Sequence, residues 1–192
     1  MKEILLIGGG GHCRSVIDVI EQEGKFQIVG IIDKAELIGH NVMGYPIIGS
    51  DSDLKGLAKK YSYALVSIGH IKSSDLRESL FELAKNAGFK LPKIISPRAY
   101  VSKHAYIGKG VVVMHDALIN VNASIGNNCI INSKALIEHD SEVNEHCHIS
   151  TNTSINGNVV IESGCFIGSG AVIRESMTIK KNSFVKAGSL IK

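Results

Sequence analysis

The sequence contains no tryptophan and few other aromatic residues, with five tyrosines and five phenylalanines among 192 residues. Its 21 basic and 18 acidic residues nearly balance, and the formal net charge is only +3. Nucleic-acid binding is disfavoured, because it depends on basic surfaces and on aromatic platforms for the bases. No apolar run approaches the ~20 residues of a membrane-spanning helix, and the start of the chain does not resemble a signal peptide. We therefore expect a cytoplasmic protein without nucleic-acid or membrane partners.

The second half of the chain carries isoleucine or valine at every sixth position. The column runs without a break through Ile95, Val101, Ile107, Val113, Ile119, Ile125, Ile131, Ile137, Val143, Ile149, Ile155, Ile161, Ile167, Ile173, Ile179, Val185 and Ile191. Neither the 3.6-residue period of a helix nor the alternation of an ordinary strand produces this pattern. A six-residue period is typical of a β-helix, in which each short strand points one β-branched side chain inward.

Mostly small residues form a second column, four positions after each aliphatic residue. Its members are Ala99, Ala105, Val111, Ala117, Ala123, Cys129, Ala135, Ser141, Cys147, Thr153, Val159, Cys165, Ala171, Met177, Ser183 and Ser189. Because side chains alternate across a strand, this column shares the inward face with the next aliphatic residue. The remaining positions are rich in asparagine and glycine, which tolerate the positive φ of tight corners.

Three of the four cysteines, Cys129, Cys147 and Cys165, are separated by 18 residues, the length of a coil of three hexads. Neighbouring strands lie ~4.8 Å apart, so the geometry allows a disulfide or a thiolate metal site. We favour the simpler interpretation that these thiols are small buried hydrophobic groups in the slot that alanine and serine fill elsewhere. Three thiols in line cannot all pair, and a cytosolic protein keeps its thiols reduced.

Residues 1–92 follow a different pattern, in which predicted strands and helices alternate. The predicted strands are residues 2–7, 26–32 and 63–68, and the predicted helices are residues 12–22, 51–60 and 74–87. This alternation predicts a small parallel sheet with Rossmann-like winding. We therefore divide the chain into an α/β domain, residues 1–92, and a β-helix, residues 93–192.

Four glycines, residues 8–11, follow the first predicted strand and open the first predicted helix. Free backbone N–H groups and the helix dipole make such a loop a phosphate-binding candidate. Asp33 ends the next strand, where ribose or sugar hydroxyls are often held. The dinucleotide motif G-x-G-x-x-G fails at its third glycine, which is Cys13, so NAD binding is disfavoured. A nucleotide-linked sugar fits better. The alternative interpretation, a tight turn that needs its glycines only for packing, is not excluded by the sequence.

Together these features resemble the hexapeptide-repeat sugar acyltransferases of the bacillosamine-pathway N-acetyltransferase and sialic-acid-cluster O-acetyltransferase type. The motifs that carry the resemblance are residues 8–12, 31–33, 68–70 with Arg77 beyond them, and 137–140 followed by His148. The resemblance implies a left-handed β-helix of triangular cross-section and a homotrimer with active sites between subunits. It also implies acetyl-CoA as co-substrate and no metal. One departure is Gly11-His12-Cys13, where the family has Gly-His-Gly.

The same resemblance assigns site residues. His139 corresponds to the catalytic base, and Asp140 to the acidic residue that follows it. Side chains that line the acceptor and thioester site correspond to Asn132 and His148, and His148 also lies near the coenzyme. The remaining correspondences are Gly157 and Gly188 for backbone near the coenzyme, and Gly8, His12, Asp33 and Gly69 for contacts with the nucleotide sugar.

The position of His139 in the repeat supports a functional role independently. His139 lies two residues after the inward Ile137, so it points outward or sits at a corner. Imidazole suits proton removal near neutral pH, and an adjacent carboxylate can fix its tautomer. Together with these features, the resemblance implies an N-acetyltransferase that acts on a nucleotide-linked amino sugar in bacterial glycan biosynthesis. The acceptor amine would attack the thioester directly, with His139 as general base.

Three other functions stay open from the sequence. An O-acetyltransferase of sialic acid or a related nonulosonic acid would share this architecture, and a non-catalytic binding solenoid would share the repeats. A γ-type carbonic anhydrase would hold zinc through histidines at a subunit interface. That alternative is disfavoured because no two of the solenoid histidines are separated by 18 or 36 residues, so none stack in a column: His104, His115, His139, His146 and His148.

Overall fold

The computed structural model describes all 192 residues, which divide into two compact units. The first unit comprises residues 1–69 and 76–92, and the second comprises residues 70–75 and 93–192. The short segment 70–75 thus groups with the second unit. None of the helices has the length and hydropathy that crossing a bilayer requires.

The first unit is built around a five-stranded sheet. Its strands are β1 (Lys2–Ile7), β2 (Phe26–Ile32), β3 (Asn41–Val42), β4 (Tyr45–Gly49) and β5 (Tyr63–Val66), and the helices are α1 (Gly11–Glu23), α2 (Leu54–Leu57) and α3 (Asp75–Ala87). The strand order is β3-β4-β2-β1-β5, and only the β3–β4 pairing is antiparallel. Because β1 lies inside the sheet, between β2 and β5, its residues from Ile4 onward are buried. The predicted parallel α/β sheet is confirmed.

Two local features of this unit differ from the predictions. The helix predicted at residues 51–60 is only a 3₁₀ turn, Asp51–Asp53, followed by the four-residue α2. Gly56 lies inside this stretch, and glycine disfavours helix propagation. The hairpin of β3 and β4 was not predicted, because its turn places Met43 rather than asparagine at positive φ (51°), followed by Gly44 (88°).

The second unit is a left-handed parallel β-helix of two-residue strands. They are β6 (Ile94–Ile95), β7 (Tyr100–Val101), β8 (Tyr106–Ile107), β9 (Val112–Val113), β10 (Leu118–Ile119), β11 (Ser124–Ile125), β12 (Ile130–Ile131), β13 (Leu136–Ile137), β14 (Glu142–Val143), β15 (His148–Ile149), β16 (Ser154–Ile155), β17 (Val160–Ile161), β18 (Phe166–Ile167), β19 (Val172–Ile173), β20 (Thr178–Ile179), β21 (Phe184–Val185) and β22 (Leu190–Ile191). Every pairing joins residues 18 positions apart, as Leu118 and Leu136 show, so one coil has 18 residues.

The strands of the solenoid form three parallel sheets, which we call its faces. The first face contains β6, β9, β12, β15, β18 and β21; the second contains β7, β10, β13, β16, β19 and β22; and the third contains β8, β11, β14, β17 and β20. Both predicted columns point into the space between these faces. The aliphatic column is buried from Ile107 to Val185, and the small residues pack against it.

The corners between faces all use the same backbone device. Every sixth residue from Gly110 to Gly188 has positive φ, between 57° and 73°. Most of these positions are asparagine, glycine or aspartate, which adopt the left-handed region at low cost. The corner prediction is therefore confirmed, and its unbroken repetition explains why no insertion interrupts the hexads.

The three solenoid cysteines are free and fully buried in the core. Their thiols donate to carbonyl oxygens of the next coil, with Cys129 Sγ 3.0 Å from the oxygen of Asn144 and Cys165 Sγ 3.0 Å from that of Lys180. Contact with the neighbouring thiol, together with burial, raises the pKa of Cys147 and of Cys165 far above the usual range. The core interpretation of these residues is confirmed, and such thiols are poor nucleophiles.

Candidate active site

His139 stands at a corner of the solenoid, just after β13, between the second and third faces. Its Nδ1 lies 2.8 Å from Asp140 Oδ2. Because an ionised carboxylate only accepts hydrogen bonds, Nδ1 carries a proton, and in the neutral imidazole Nε2 then keeps its lone pair. The side chains of His139 and Asp140 are 57% and 53% exposed, so the pair lies open to solvent. The hydrogen bond from His139 holds the pKa of Asp140 below its ordinary value, with a smaller contribution from Asn122.

Gly157, one coil further on, lies against the imidazole of His139. A β-carbon at this position would lie 2.8 Å from His139 Cε1 and 3.0 Å from Nε2. The ring therefore occupies space that only a glycine leaves open. No hydrogen bond engages the backbone N–H of Gly157. The sequence assigned Gly157 to the coenzyme, and the structure places it beside the candidate base.

Three further side chains surround this corner. Glu138 lies in the motif of residues 137–140, whereas the sequence did not point to Asn120 or Asn122. Glu138 Oε2 accepts hydrogen bonds from the side-chain amide of Asn120 at 2.7 Å and from the backbone N–H of His139 at 3.2 Å. Asn122 donates to the other oxygen of Asp140. Both asparagines precede their partners by 18 residues, so the coil length could have revealed them.

Asn132 and His148 form a second cluster, at the corner between the first and second faces. Asn132 Nδ2 lies 3.2 Å from His148 Nε2, and His148 Nδ1 lies 2.8 Å from the carbonyl oxygen of His70. Since a carbonyl oxygen only accepts, His148 Nδ1 is protonated and Nε2 accepts from the amide of Asn132. Sequence reasoning placed both residues in one site, and the structure brings them into contact.

The side chain of His148 points outward from its coil, as predicted, but it is only 7% exposed. His70, from the segment that groups with this unit, lies edge-on to it at 5.5 Å between ring centroids, and Phe166 lies at 5.2 Å. Phe184 stacks on Phe166 at 5.3 Å. His70 is a residue of this cluster that the hexad pattern could not reveal, because it precedes the solenoid by more than twenty residues.

Within one chain the two clusters are separate. His139 follows β13 and Asn132 precedes it, so the whole width of the second face lies between them. Gly188, also assigned to the coenzyme, lies at an exposed corner of the last coil with φ 68°. The structure therefore joins His139, Asp140 and Gly157 in one group, and Asn132 with His148 in another.

The predicted nucleotide-sugar residues meet at the carboxyl-terminal edge of the sheet in the first unit. Gly8 follows β1, Asp33 follows β2 and Gly69 lies beyond β5, where its backbone faces His12 at the start of α1. Asp33 Oδ2 accepts the backbone N–H of Gly9 at 2.6 Å. Gly8 has φ +100°, and a β-carbon there would collide with Ile68. Ligands of parallel α/β sheets bind at this edge.

A cavity of about 180 Å³ opens beside these residues. Its walls are mainly apolar, with two carboxylates and one ammonium group among them: Ile7, Gly8, Ile32, Asp33, Lys34, Asp51, Ile68, Leu76 and Leu80. Burial, and secondarily the charge of Asp33, raises the pKa of Asp51. An apolar slot edged by hydrogen-bonding groups suits a planar base or a sugar ring.

Arg77, part of the motif that carried the resemblance, is fully buried. Its guanidinium donates to the carbonyl oxygens of Val66 at 2.9 Å and of Ile68 at 2.5 Å. It therefore fixes the end of β5, next to the cavity, and its role is structural. No group of three or more His, Cys, Asp or Glu side chains is arranged to hold a metal ion.

Comparison with known proteins places the chain among sugar acetyltransferases. Residues 3–83 match the family model of the PglD N-terminal domain. Perosamine N-acetyltransferase from Caulobacter crescentus, solved in complex with CoA and GDP-perosamine, is 32% identical with a TM-score of 0.93, over 100% of this chain and 89% of that chain. The acetyltransferase domain of PglB from Neisseria gonorrhoeae is 30% identical with a TM-score of 0.92, over 100% of this chain and 92% of that chain.

The same PglB domain, solved in complex with acetyl coenzyme A, matches at 30% identity and a TM-score of 0.90, over 99% and 92% of the two chains. No curated protein sequence matches the chain. The structural relatives share both units, in the same order and over nearly their whole length. On this sequence identity over the full chain, the protein belongs to the hexapeptide-repeat sugar acyltransferases.

Proposed function

We propose that this protein transfers the acetyl group of acetyl-CoA to the amino group of a nucleotide-linked amino sugar, with His139 as general base. As a member of its family it is an acetyl-CoA-dependent acyltransferase. The observation that carries the proposal is the His139–Asp140 pair at an exposed corner. In its neutral form the imidazole has its proton on Nδ1, beside Asp140, and its free lone pair on Nε2, next to Gly157, whose backbone N–H makes no hydrogen bond.

The chemistry follows from these groups. The sugar amine attacks the thioester carbonyl of acetyl-CoA, and His139 Nε2 takes a proton from the nitrogen as the N–C bond forms. Asp140 stabilises the resulting imidazolium through Nδ1. The backbone N–H of Gly157 is available to the oxyanion of the tetrahedral intermediate. The intermediate collapses by breaking the C–S bond, and the imidazolium returns its proton to the departing CoA thiolate.

We further infer a homotrimer with active sites between subunits. The residues that point outward from the second face are mainly apolar, and most are partly or largely exposed in the single chain: Tyr100, Leu118, Leu136, Ser154, Val172 and Leu190. The two halves of the proposed site stand at opposite edges of this face. A second copy packed there brings Asn132 and His148 of one subunit towards His139 of the next, which supports a site that is incomplete in a monomer.

The first unit supplies the proposed acceptor site. The N–H groups of Gly8 and Gly9 are engaged by Ile32 and Asp33, so those of Gly10 and Gly11 are the ones available to a phosphate. The adjacent cavity suits the nucleoside. The C. crescentus relative was solved with a GDP-linked amino sugar, which supports a nucleotide-linked acceptor here. We propose a nucleotide-linked 4-amino sugar as the acceptor.

The direct test is CoA thiol release from acetyl-CoA with three acceptors in parallel. These are a UDP-linked 4-amino-4,6-dideoxy sugar, GDP-perosamine and free sialic acid. Release with either nucleotide-linked amino sugar supports N-acetylation and identifies the nucleobase of the acceptor. Release with sialic acid alone overturns the proposal in favour of O-acetylation. Coenzyme binding without turnover on any amino or hydroxy sugar supports the non-catalytic alternative.

Replacing His139 tests the base. We expect His139→Ala to lower kcat more than about tenfold, the contribution of a general base, while CoA binding and the oligomeric state stay unchanged. His104→Ala, a histidine of the same solenoid outside either cluster, is the control and should keep full activity. Undiminished turnover by His139→Ala would exclude His139 as the base.

A further inference from the structure

The corner that carries Asp140 is occupied by a column of polar residues in the left-handed conformation. Asn122, Asp140, Asn158 and Ser176 are 18 residues apart and have φ values of 57°, 60°, 58° and 61°. Asn122 Nδ2 donates to Asp140 Oδ1 at 3.2 Å, and Asn158 Nδ2 donates to Ser176 Oγ at 3.2 Å. No side-chain bond joins Asp140 to Asn158, so the column is interrupted where Asp140 turns towards His139.

The two oxygens of Asp140 therefore have different partners. Oδ2 binds the imidazole of His139 at 2.8 Å, and Oδ1 binds the amide of Asn122. The other nearby carboxylate, Glu138, is held by Asn120 and by the backbone of His139. The amide of Asn122 is thus the side-chain group that stops the exposed Asp140 carboxylate from rotating away from the imidazole.

We propose that Asn122 is a positioning residue for acetyl transfer: its amide holds the Asp140 carboxylate in the orientation that keeps the proton of His139 on Nδ1 and Nε2 free. This inference rests on the proposed role of His139 as general base. Asn122 touches neither the imidazole nor a reacting atom, so its effect passes through Asp140. The donated hydrogen bond also favours the ionised carboxylate, in the direction observed for the pKa of Asp140.

Two matched variants separate this role from a purely structural one. Asn122→Gly and Asn158→Gly each remove one exposed corner amide, and glycine keeps the positive φ without strain. We expect Asn122→Gly to lower kcat about three- to tenfold with KM unchanged, the range that one hydrogen bond supports. Asn158→Gly should retain normal kcat, and the two variants should melt at similar temperatures. Equal kcat in both variants would overturn the inference.

A double-mutant cycle with Asp140→Ala tests the route of the effect. If Asn122 acts through Asp140, Asn122→Gly should cause no further loss of kcat in the Asp140→Ala background. Independent, multiplicative losses would show that Asn122 does not act through the carboxylate. The His139→Ala variant distinguishes failure of the proposed function from failure of the positioning role. Full activity of His139→Ala rejects His139 as the general base. A large loss in His139→Ala, together with equal kcat values for Asn122→Gly and Asn158→Gly, rejects only the positioning role of Asn122.

Discussion

At the scale of single residues, the candidate base is confined on two sides by different means. Asp140 fixes the tautomer of His139 through a hydrogen bond of 2.8 Å, and Gly157 leaves the space in which the ring lies. The first constraint is electrostatic and the second is steric. A substitution at Gly157 should therefore affect catalysis without affecting folding.

We expect Gly157→Ala to lower kcat at least about tenfold, because the new methyl group displaces the imidazole and breaks its alignment with Asp140. Stability should change by less than about 1 kcal/mol, since the backbone is not in the left-handed region and the half-exposed ring can swing into solvent. Kinetics and thermal melting measure the two effects.

The control is Gly56→Ala, in α2, where a β-carbon meets nothing within 4 Å. That variant should keep full activity. Normal turnover by Gly157→Ala would show that the position of the ring does not depend on this glycine.

At the scale of the element, each coil is tied to the next by small polar groups inside the solenoid. The hydroxyl of Ser141 donates to the carbonyl oxygen of Asn156 at 2.7 Å and accepts the backbone N–H of Val159 at 3.2 Å. The hydroxyl of Thr153 donates to the backbone carbonyl oxygen of Gly168, also 15 residues ahead. The cysteine thiols make the same 15-residue connection. The small column therefore fills space and also satisfies backbone groups at the corners.

Removing one such group should cost stability. We expect Ser141→Ala to lower the free energy of unfolding by about 1–3 kcal/mol, because it leaves a buried carbonyl and a buried N–H without their partner. Ser141→Cys should recover part of the loss, since cysteine makes the equivalent bond elsewhere in the column. Urea denaturation measures both variants. A Ser141→Ala protein as stable as the parent would show that the corner relaxes to satisfy these groups.

At the scale of the whole molecule, our proposal requires the active site to form in the homotrimer that we infer. Leu118 points outward from the second face, and Ser124 holds the equivalent outward position on the third face of the same coil. We expect Leu118→Arg to convert the trimer to monomers and abolish acetyl transfer, because an unpaired charge cannot be buried in an apolar interface. Light scattering with gel filtration measures the mass.

Ser124→Arg serves as the control for an added surface charge, and it should remain trimeric and active. Monomers from both variants would mean that the interface involves the third face as well. An active Leu118→Arg monomer would contradict a site shared between subunits.

The predictions made from sequence were correct where the controlling interactions are local and periodic. Inward packing and the corner conformations repeat every six residues, so a single chain displays both columns and the turns between them. The hairpin at Met43 was not predicted, because its turn has methionine where asparagine is usual. The site was predicted in its parts, with Glu138 inside the motif of residues 137–140, but Asn120 and Asn122 become visible only when the coil length aligns residues 18 apart.

The sequence by itself determined the two-part architecture, the β-helix core and the outward position of His139, because these follow from side-chain alternation and corner chemistry within a few residues. Only the tertiary structure decided that His148 is buried, since its cover, His70, lies 78 positions earlier in the chain. It also decided that His139 lies against Gly157 and that Asp140 is held by Asn122. These contacts arise from the stacking of coils and the return of a distant loop, and no local pattern encodes them.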